Sequence, residues 1–280
     1  NEEKNIQRTS FSELLKPALR FIIGLGLLIG VLQQATGINA IYFYATSIFK
    51  QTGIGTDAAF TQGVVLGLTS VIFTIIAMLA IDRIGRRPLM IIGIGGIAVS
   101  LLLCSYGFGQ AKYQLSPDEA AQITGVDQME LAELSDMTFK NDVEFKNKMK
   151  GLLGADLYAK QEGAILEAAI DMNAVIVLVG VLGFIAFFNL SLGPVMWVML
   201  SEMYPNKIRG LAIGTIGLVN SFTAWLVTQI FPWELSNLGN SLSFLIFGVI
   251  ALIGSFVLFK ILPETKGKSL EELETELIKN

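Results

Sequence analysis

The 280-residue sequence contains no histidine. That excludes imidazole zinc sites, histidine acid–base catalysis and histidine proton relays. Its single cysteine, Cys104, lies in an apolar run, so no disulfide can form within the chain and cysteine usage says nothing about the compartment. Charge is scarce. Asp, Glu, Lys and Arg together make up 16% of the residues, against about 25% in an ordinary soluble domain. No carboxylate lies near the middle of any long apolar block, so a proton-coupling acid is not visible. There is no phosphate-cradling glycine loop, no cluster of metal ligands and no nucleophile beside a base. Nothing supports an enzyme, and neither a cofactor nor a metal nor a nucleic-acid partner is expected. The first residues are polar and show no signal peptide, and a chain that begins on Asn reads as a processed or excised piece.

What is present is apolar and blocked. Hydrophobic residues make up 52% of the chain and there are 28 glycines, with a mean hydropathy of +0.60. Six uncharged blocks run over Phe21–Phe49, Thr61–Ile81, Pro88–Gln110, Met172–Ser201, Leu211–Phe231 and Leu235–Phe259. Each reaches the roughly 20 residues that a membrane-spanning helix needs. The first would extend about 43 Å as one helix, longer than the ~30 Å hydrocarbon core. It must tilt, protrude or break, and Thr36-Gly37 near its middle favours a break. Lys and Arg cluster in alternate connections: Lys4 to Arg20, Arg83 to Arg87, Lys207 with Arg209, and Lys260 onward. The two short connections on the other side carry Lys50 alone. The excess of basic residues on inner loops therefore places both termini in the cytoplasm; the expected location is a plasma or bacterial inner membrane.

The expected fold is all-α and polytopic. Residues 1–20 form a cytoplasmic lead-in helix, with a capping-box spacing at Ser10-Phe11-Ser12-Glu13. Residues 21–110 carry three spans, 111–171 an extracytoplasmic soluble insertion, 172–262 three more spans, and 263–280 a cytoplasmic tail. The insertion reads as two or three short amphipathic helices. Its apolar positions include Met129, Leu131 and Leu134, then Val143, Phe145, Met149, Leu152, Leu153 and Leu157, and Ser116-Pro117-Asp118-Glu119 is a helix start. Three spans on either side of it have the arithmetic of a 3+3 inverted repeat.

Four stretches could carry chemistry. Gln33, Gln34 and Asn39 are carboxamides inside an apolar span, followed by Tyr42, Phe43 and Tyr44, whose rings offer apolar faces. Buried amides cost a few kcal/mol unless paired. On the residues alone two readings stand equally: hydrogen bonding between helices, or a site for a polyhydroxylated ligand. Gly193-Pro194 frees backbone groups within the fourth block, with Trp197 just beyond and Asn189 just before; a packed kink and a cavity wall both fit. Asp82, Arg83, Gly85, Arg86 and Arg87 make a tight inner loop that suits either a salt-bridge latch or simple basic anchoring. Glu202, at an inner helix end, can pair with Arg86, Arg87 or Arg209. Asn220 gives the fifth block a polar side.

Taken together, Gln33-Gln34-x-x-Gly37-Ile38-Asn39, Asp82-Arg83-x-Gly85-Arg86-Arg87, Gly193-Pro194-x-x-Trp197 with Glu202 and Arg209-Gly210, and Pro263-Glu264-Thr265-Lys266-Gly267 resemble the C-terminal half of a sugar porter of the major facilitator superfamily. The resemblance covers nearly the whole chain except 111–171. It implies a partner in the form of an N-terminal six-helix half, and alternating access around a central site for a monosaccharide or related polyol, proton-coupled in the full-length protein. It further implies that Gln33, Gln34, Asn39, Phe43, Asn189, Trp197 and Asn220 line that site, and that Asp82, Arg83, Arg86, Arg87, Glu202, Arg209 and Glu264 form a cytoplasmic salt-bridge network. Ser70, Asn189 and Ser221 depart from common residues of the family at the pocket wall, which leaves hexose, pentose and polyol open. The alternative reading is a six-helix membrane sensor or scaffold with an outer binding module and no transport.

Overall fold

The computed structural model describes residues 10–50, 58–116, 137–268 and 270–277. A short α1 (Phe11–Leu14) and a 3-10 turn at Pro17–Leu19 lead into α2 (Arg20–Ala35) and α3 (Ile38–Lys50). Then come α4 (Ala58–Ile84) and α5 (Arg86–Gly109). The insertion follows, with β1 (Lys112–Tyr113), α6 (Asp142–Leu153), α7 (Ala155–Ala169) and β2 (Ile170–Asp171). The chain re-enters as α8 (Ala174–Leu190) and α9 (Pro194–Met203), continues as α10 (Arg209–Asn237) and α11 (Gly239–Ile261), and closes with α12 (Leu270–Leu277). Among the described residues, six stretches are long and apolar enough to cross a membrane: Pro17–Ala45, Gly63–Ile84, Arg86–Gly109, Ala174–Met203, Arg209–Asn237 and Gly239–Ile261.

Two of the six are broken, each where the sequence weakens the helix. At the first break Gly37 takes φ +87, a backbone that L side chains avoid. Its N–H donates to Gln34 O (2.9 Å), and the Thr36 hydroxyl donates to Gln33 O (3.0 Å). At the second, Pro194 cannot donate to Leu190, α8 ends there, and Gly193 N–H turns back to Phe188 O (2.9 Å). The fifth span differs from the expectation that it ends at Phe231. α10 runs through Pro232 to Asn237, and the turn falls at Gly239, φ +80. A proline near a helix end frees few backbone groups, whereas the reversal needs a left-handed residue.

The spans pack through small residues. α5 lies against both α8 and α11, α10 against α2, and α4 against α8. A methyl group at Gly93 would collide with Ser191, one at Gly180 with Cys104, and one at Gly26 with Tyr204 and Ile216. In lipid, where apolar surface gains little from leaving the solvent, such close approach holds helices together. Tyr204 adds a hydrogen bond from its hydroxyl to Ile22 O (3.0 Å).

At the lead-in, the capping box is not made. Ser10 is extended and its side chain caps nothing. Glu13 instead pairs with Lys207, in the connection between α9 and α10 (3.1 Å), so the charge found a basic loop rather than its own helix start.

The insertion has a core of its own. Phe145, Met149 and Leu153, spaced four apart on α6, face Tyr113, Tyr158 and Leu166, and burial pushes both phenols up. Its base is tied by a two-residue antiparallel ribbon pairing Lys112 with Asp171 and Tyr113 with Ile170, an element no alternating pattern announced. α7 packs against α3, and α6 packs against α11. The helix start at Ser116-Pro117-Asp118-Glu119 and the positions Met129, Leu131 and Leu134 lie outside the described residues, apart from Ser116 itself.

Candidate functional site

The break after α2 sets the site. Gln33 and Gln34 occupy the last turn of α2, and Asn39 opens α3. Gln33 Nε2 donates to Leu192 O in the other helix break (2.7 Å). Gln34 Nε2 is shared between Gln33 Oε1 and Asn220 Oδ1 (both 3.2 Å). Asn39 Nδ2 donates to Gln34 Oε1 (2.8 Å). From α10, Asn220 Nδ2 reaches Gly30 O (2.8 Å) and Gln33 Oε1 (2.7 Å). Four carboxamides from three helices thus form one network beside the second break. Gln33, Gln34 and Asn220 are only 4%, 8% and 7% exposed, so every bond matters; Asn39 is half-buried. The network binds the helices to one another, and through Asn39 it comes to the surface of the bundle.

A second polar group adjoins it. Asn189, at the end of α8, accepts from Thr74 Oγ1 (3.3 Å) and donates to Ile185 O (2.8 Å) and Ser70 Oγ (3.4 Å). The Tyr42 hydroxyl also bonds Ser70 Oγ. Sequence reasoning read Tyr42 as an apolar face and passed over Thr74. Their spacing was the available signal, since Tyr42 lies one turn beyond Asn39 and Thr74 one turn beyond Ser70. Trp197 is 39% exposed, and the edge of its ring would just touch a methyl group placed at Gly217, one turn before Asn220. Phe43 is 72% exposed and turned outward from the bundle, so it stands apart from the amide network.

The helix ends around the α4–α5 turn carry the charged cluster. Arg86, with its side chain 13% exposed, pairs with Glu202 at 2.8 Å and with the exposed Asp82 at 3.1 Å. Its Nε also bonds Glu202 Oε2 (3.1 Å), which makes the contact a fork. The Thr265 hydroxyl donates to the same carboxylate. Glu264 takes a different part from the one expected. Its carboxylate accepts from Arg86 N (3.0 Å) and Arg87 N (3.3 Å), capping α5 from a distant segment. It also takes Thr265 N and Lys266 N (3.0 and 2.9 Å). Arg87 and Arg209 also depart from the expectation. They reach backbone carbonyls, Phe259 O (2.9 Å) and Tyr204 O (3.1 Å), rather than carboxylates. Arg83 contributes its carbonyl, which accepts from Lys266 Nζ (2.6 Å).

The family model described as "Sugar (and other) transporter" matches residues 1–125 and 152–277. The chain is 31% identical to the arabinose-proton symporter of Bacillus subtilis, over all of this chain and 47% of that protein. It is 29% identical to the D-xylose-proton symporter of Escherichia coli, over 90% of this chain and 40% of that one. Among solved structures, a major facilitator superfamily proton:xylose symporter bound to 6-bromo-6-deoxy-D-glucose aligns with a TM-score of 0.64 at 27% identity. That alignment covers 92% of this chain and 43% of the other. The chain spans about half the length of these relatives or less.

Proposed function

The chain belongs to the sugar transporter family of the major facilitator superfamily, and from that premise we propose that it forms the C-terminal half of a carrier. The carrier moves a neutral monosaccharide or related polyol across a membrane by alternating access. The observation that carries this reading is the uncharged carboxamide network of Gln33, Gln34, Asn39 and Asn220 at a helix break. Amides can exchange their mutual bonds for bidentate pairs with ring hydroxyls, and a ligand that fails to complete those pairs leaves a buried amide unsatisfied. Trp197 supplies an apolar face for the ring C–H groups, and Phe43 reaches the ligand when α3 bends about Gly37. The spans α4 and α10 bury the least of themselves and are the face offered to a second six-helix half. Proton coupling, as named for two relatives, requires a carboxylate that this half supplies at no mid-span position, so the other half is its source. Both termini face the cytoplasm in this reading, and the Arg86–Glu202 pair then holds one facing state.

The test is uptake of labelled pentoses, hexoses and polyols by the protein expressed from its complete reading frame, in proteoliposomes with and without a proton gradient. Gln34→Ala weakens apparent affinity by about 1–3 kcal/mol, roughly five- to 150-fold. Uptake at unchanged affinity defeats the assignment. A second reading, a sensor with an outer binding module, draws on the separate core of the insertion. It predicts sugar binding without uptake, and signalling lost when 111–171 is deleted.

A further inference from the structure

The insertion is a packed body tied to the spans at two places. Its own core joins α6 and α7 to the ribbon at its base, so a displacement of one helix is passed to the other. α7 packs against α3, the arm beyond the Gly37 break, and α6 packs against the start of α11. α3 rests as well on α4, α8 and α10. Residues 126–151, which include the docking end of α6, lie outside the family match, so this tie is an addition to the shared fold.

The tie at α6 is a buried ionic contact. Asp142, Lys146 and Asn240 are 8%, 5% and 1% exposed. A single oxygen, Asp142 Oδ2, accepts from Lys146 Nζ (3.2 Å), Asn240 N (3.2 Å) and Asn240 Nδ2 (3.0 Å). Such a contact can open without stranding a charge. Asp142 and Lys146 lie one turn apart on α6, so they leave α11 together as a pair. Water then takes the place of Asn240 on the carboxylate, and of the carboxylate on the first turn of α11.

We propose that the insertion is a strap that holds α3 away from the sugar, so that docking of Asp142 on α11 and binding of sugar oppose one another. The inference rests on the carrier reading above, in which α3 bends about Gly37 to bring Phe43 to the ligand. In the docked arrangement Phe43 stands apart from the amides, 72% exposed. α3 bends only by parting from α7 or by drawing α7 with it. Drawing α7 tilts the insertion about its ribbon and pulls Asp142 off Asn240. Docking thus favours the straight arm, and undocking favours closure over the sugar. Linkage makes the effect reciprocal: bound sugar loosens the strap by the factor by which the strap weakens sugar binding.

The experiment uses the protein expressed from its complete reading frame, in detergent, with whichever of D-glucose, D-xylose and myo-inositol binds the wild type. Hydrogen exchange of the α6 amides is followed with and without saturating sugar. Sugar should speed that exchange about fivefold or more, and the same sugar concentration should leave it unchanged in Gln34→Ala. Asp142→Ala, which removes the tie, should bind sugar tighter by the same factor, with Asp142→Asn in between. Exchange of α6 that is unchanged or slower with sugar bound overturns the strap and leaves the carrier reading standing, because α3 has then parted from α7. A rise in α6 exchange with no gain of affinity in a folded Asp142→Ala overturns it too. Should Asp142→Ala not fold, the wild-type exchange decides alone. Failure of the wild type to bind any aldose or polyol overturns both the strap and the carrier.

Discussion

Gly85 opens α5 without a side chain to cap it, and its φ of +103 admits little else. The first amides of α5 are therefore orphans unless something outside the helix serves them. Glu264, far along the chain, does so, and a side chain at Gly85 would collide with that carboxylate. The negative charge also suits the positive end of the helix. Beside it, Arg86 and Glu202 make a partly shielded fork, while the Arg86–Asp82 contact is open to water and worth little. On the carrier reading, Arg86→Ala, Glu202→Gln and the double variant should give a coupling of about 1–3 kcal/mol, read from the accessibility of a cysteine introduced at the end of the bundle opposite this cluster as the proposed facing equilibrium shifts. Arg83→Ala should shift it by less than about 0.5 kcal/mol, because Arg83 acts through its carbonyl. The sequence made Glu202 a partner for Arg86, Arg87 or Arg209 alike. Adjacent helical residues point about 100° apart, and only the packing of α5 against the neighbouring ends decides which guanidinium faces the acid.

A span that is too long and a proline that cannot donate are visible in a bare sequence, and both helices break where those features stand. The breaks also explain why the carboxamides can meet. Gln33 reaches a carbonyl that the second break exposes, and Asn39 folds back over Gln34 because Gly37 turns the chain between them. Gly37→Ala should therefore act on both stability and binding. The left-handed backbone costs about 1–2 kcal/mol for an alanine, and the added methyl would lie 2.9 Å from the Phe247 ring. The expected outcome is a lower melting temperature in detergent together with weaker sugar binding, whereas Gly24→Ala, where nothing stands within 4 Å, changes neither. Other elements were illegible. The Ser10–Glu13 spacing fits a capping box, but such a local pattern cannot report that Lys207 lies nearby. The two-residue ribbon at the base of the insertion is too short to show any period. Tyr42 looked apolar because its polar partner Ser70 sits on another helix.

The insertion joins two parts of the bundle. α7 rests on α3, the second arm of the broken helix, and α6 rests on the start of α11. The second contact is polar and buried. Asp142 accepts from Lys146 Nζ (3.2 Å) within α6 and from both Asn240 N (3.2 Å) and Asn240 Nδ2 (3.0 Å) at the first turn of α11. Gly239 clears the way, since a methyl there would collide with Asp142. A carboxylate at a helix N-terminus, holding a buried lysine on its other side, is costly to lose, because removing one partner of such a pair strands the rest. Asp142→Ala should weaken the docking by about 3 kcal/mol, and hydrogen exchange over 142–169 should speed up by about a hundredfold while the amides of α5 and α8, buried between other spans, keep their protection. If exchange rises equally in α5 and α8, the insertion is part of the bundle's own cooperative unit. If it rises in α6, α7 and α3 but not in α2, the insertion bears on α3 alone, on the far side of the Gly37 break from the glutamines.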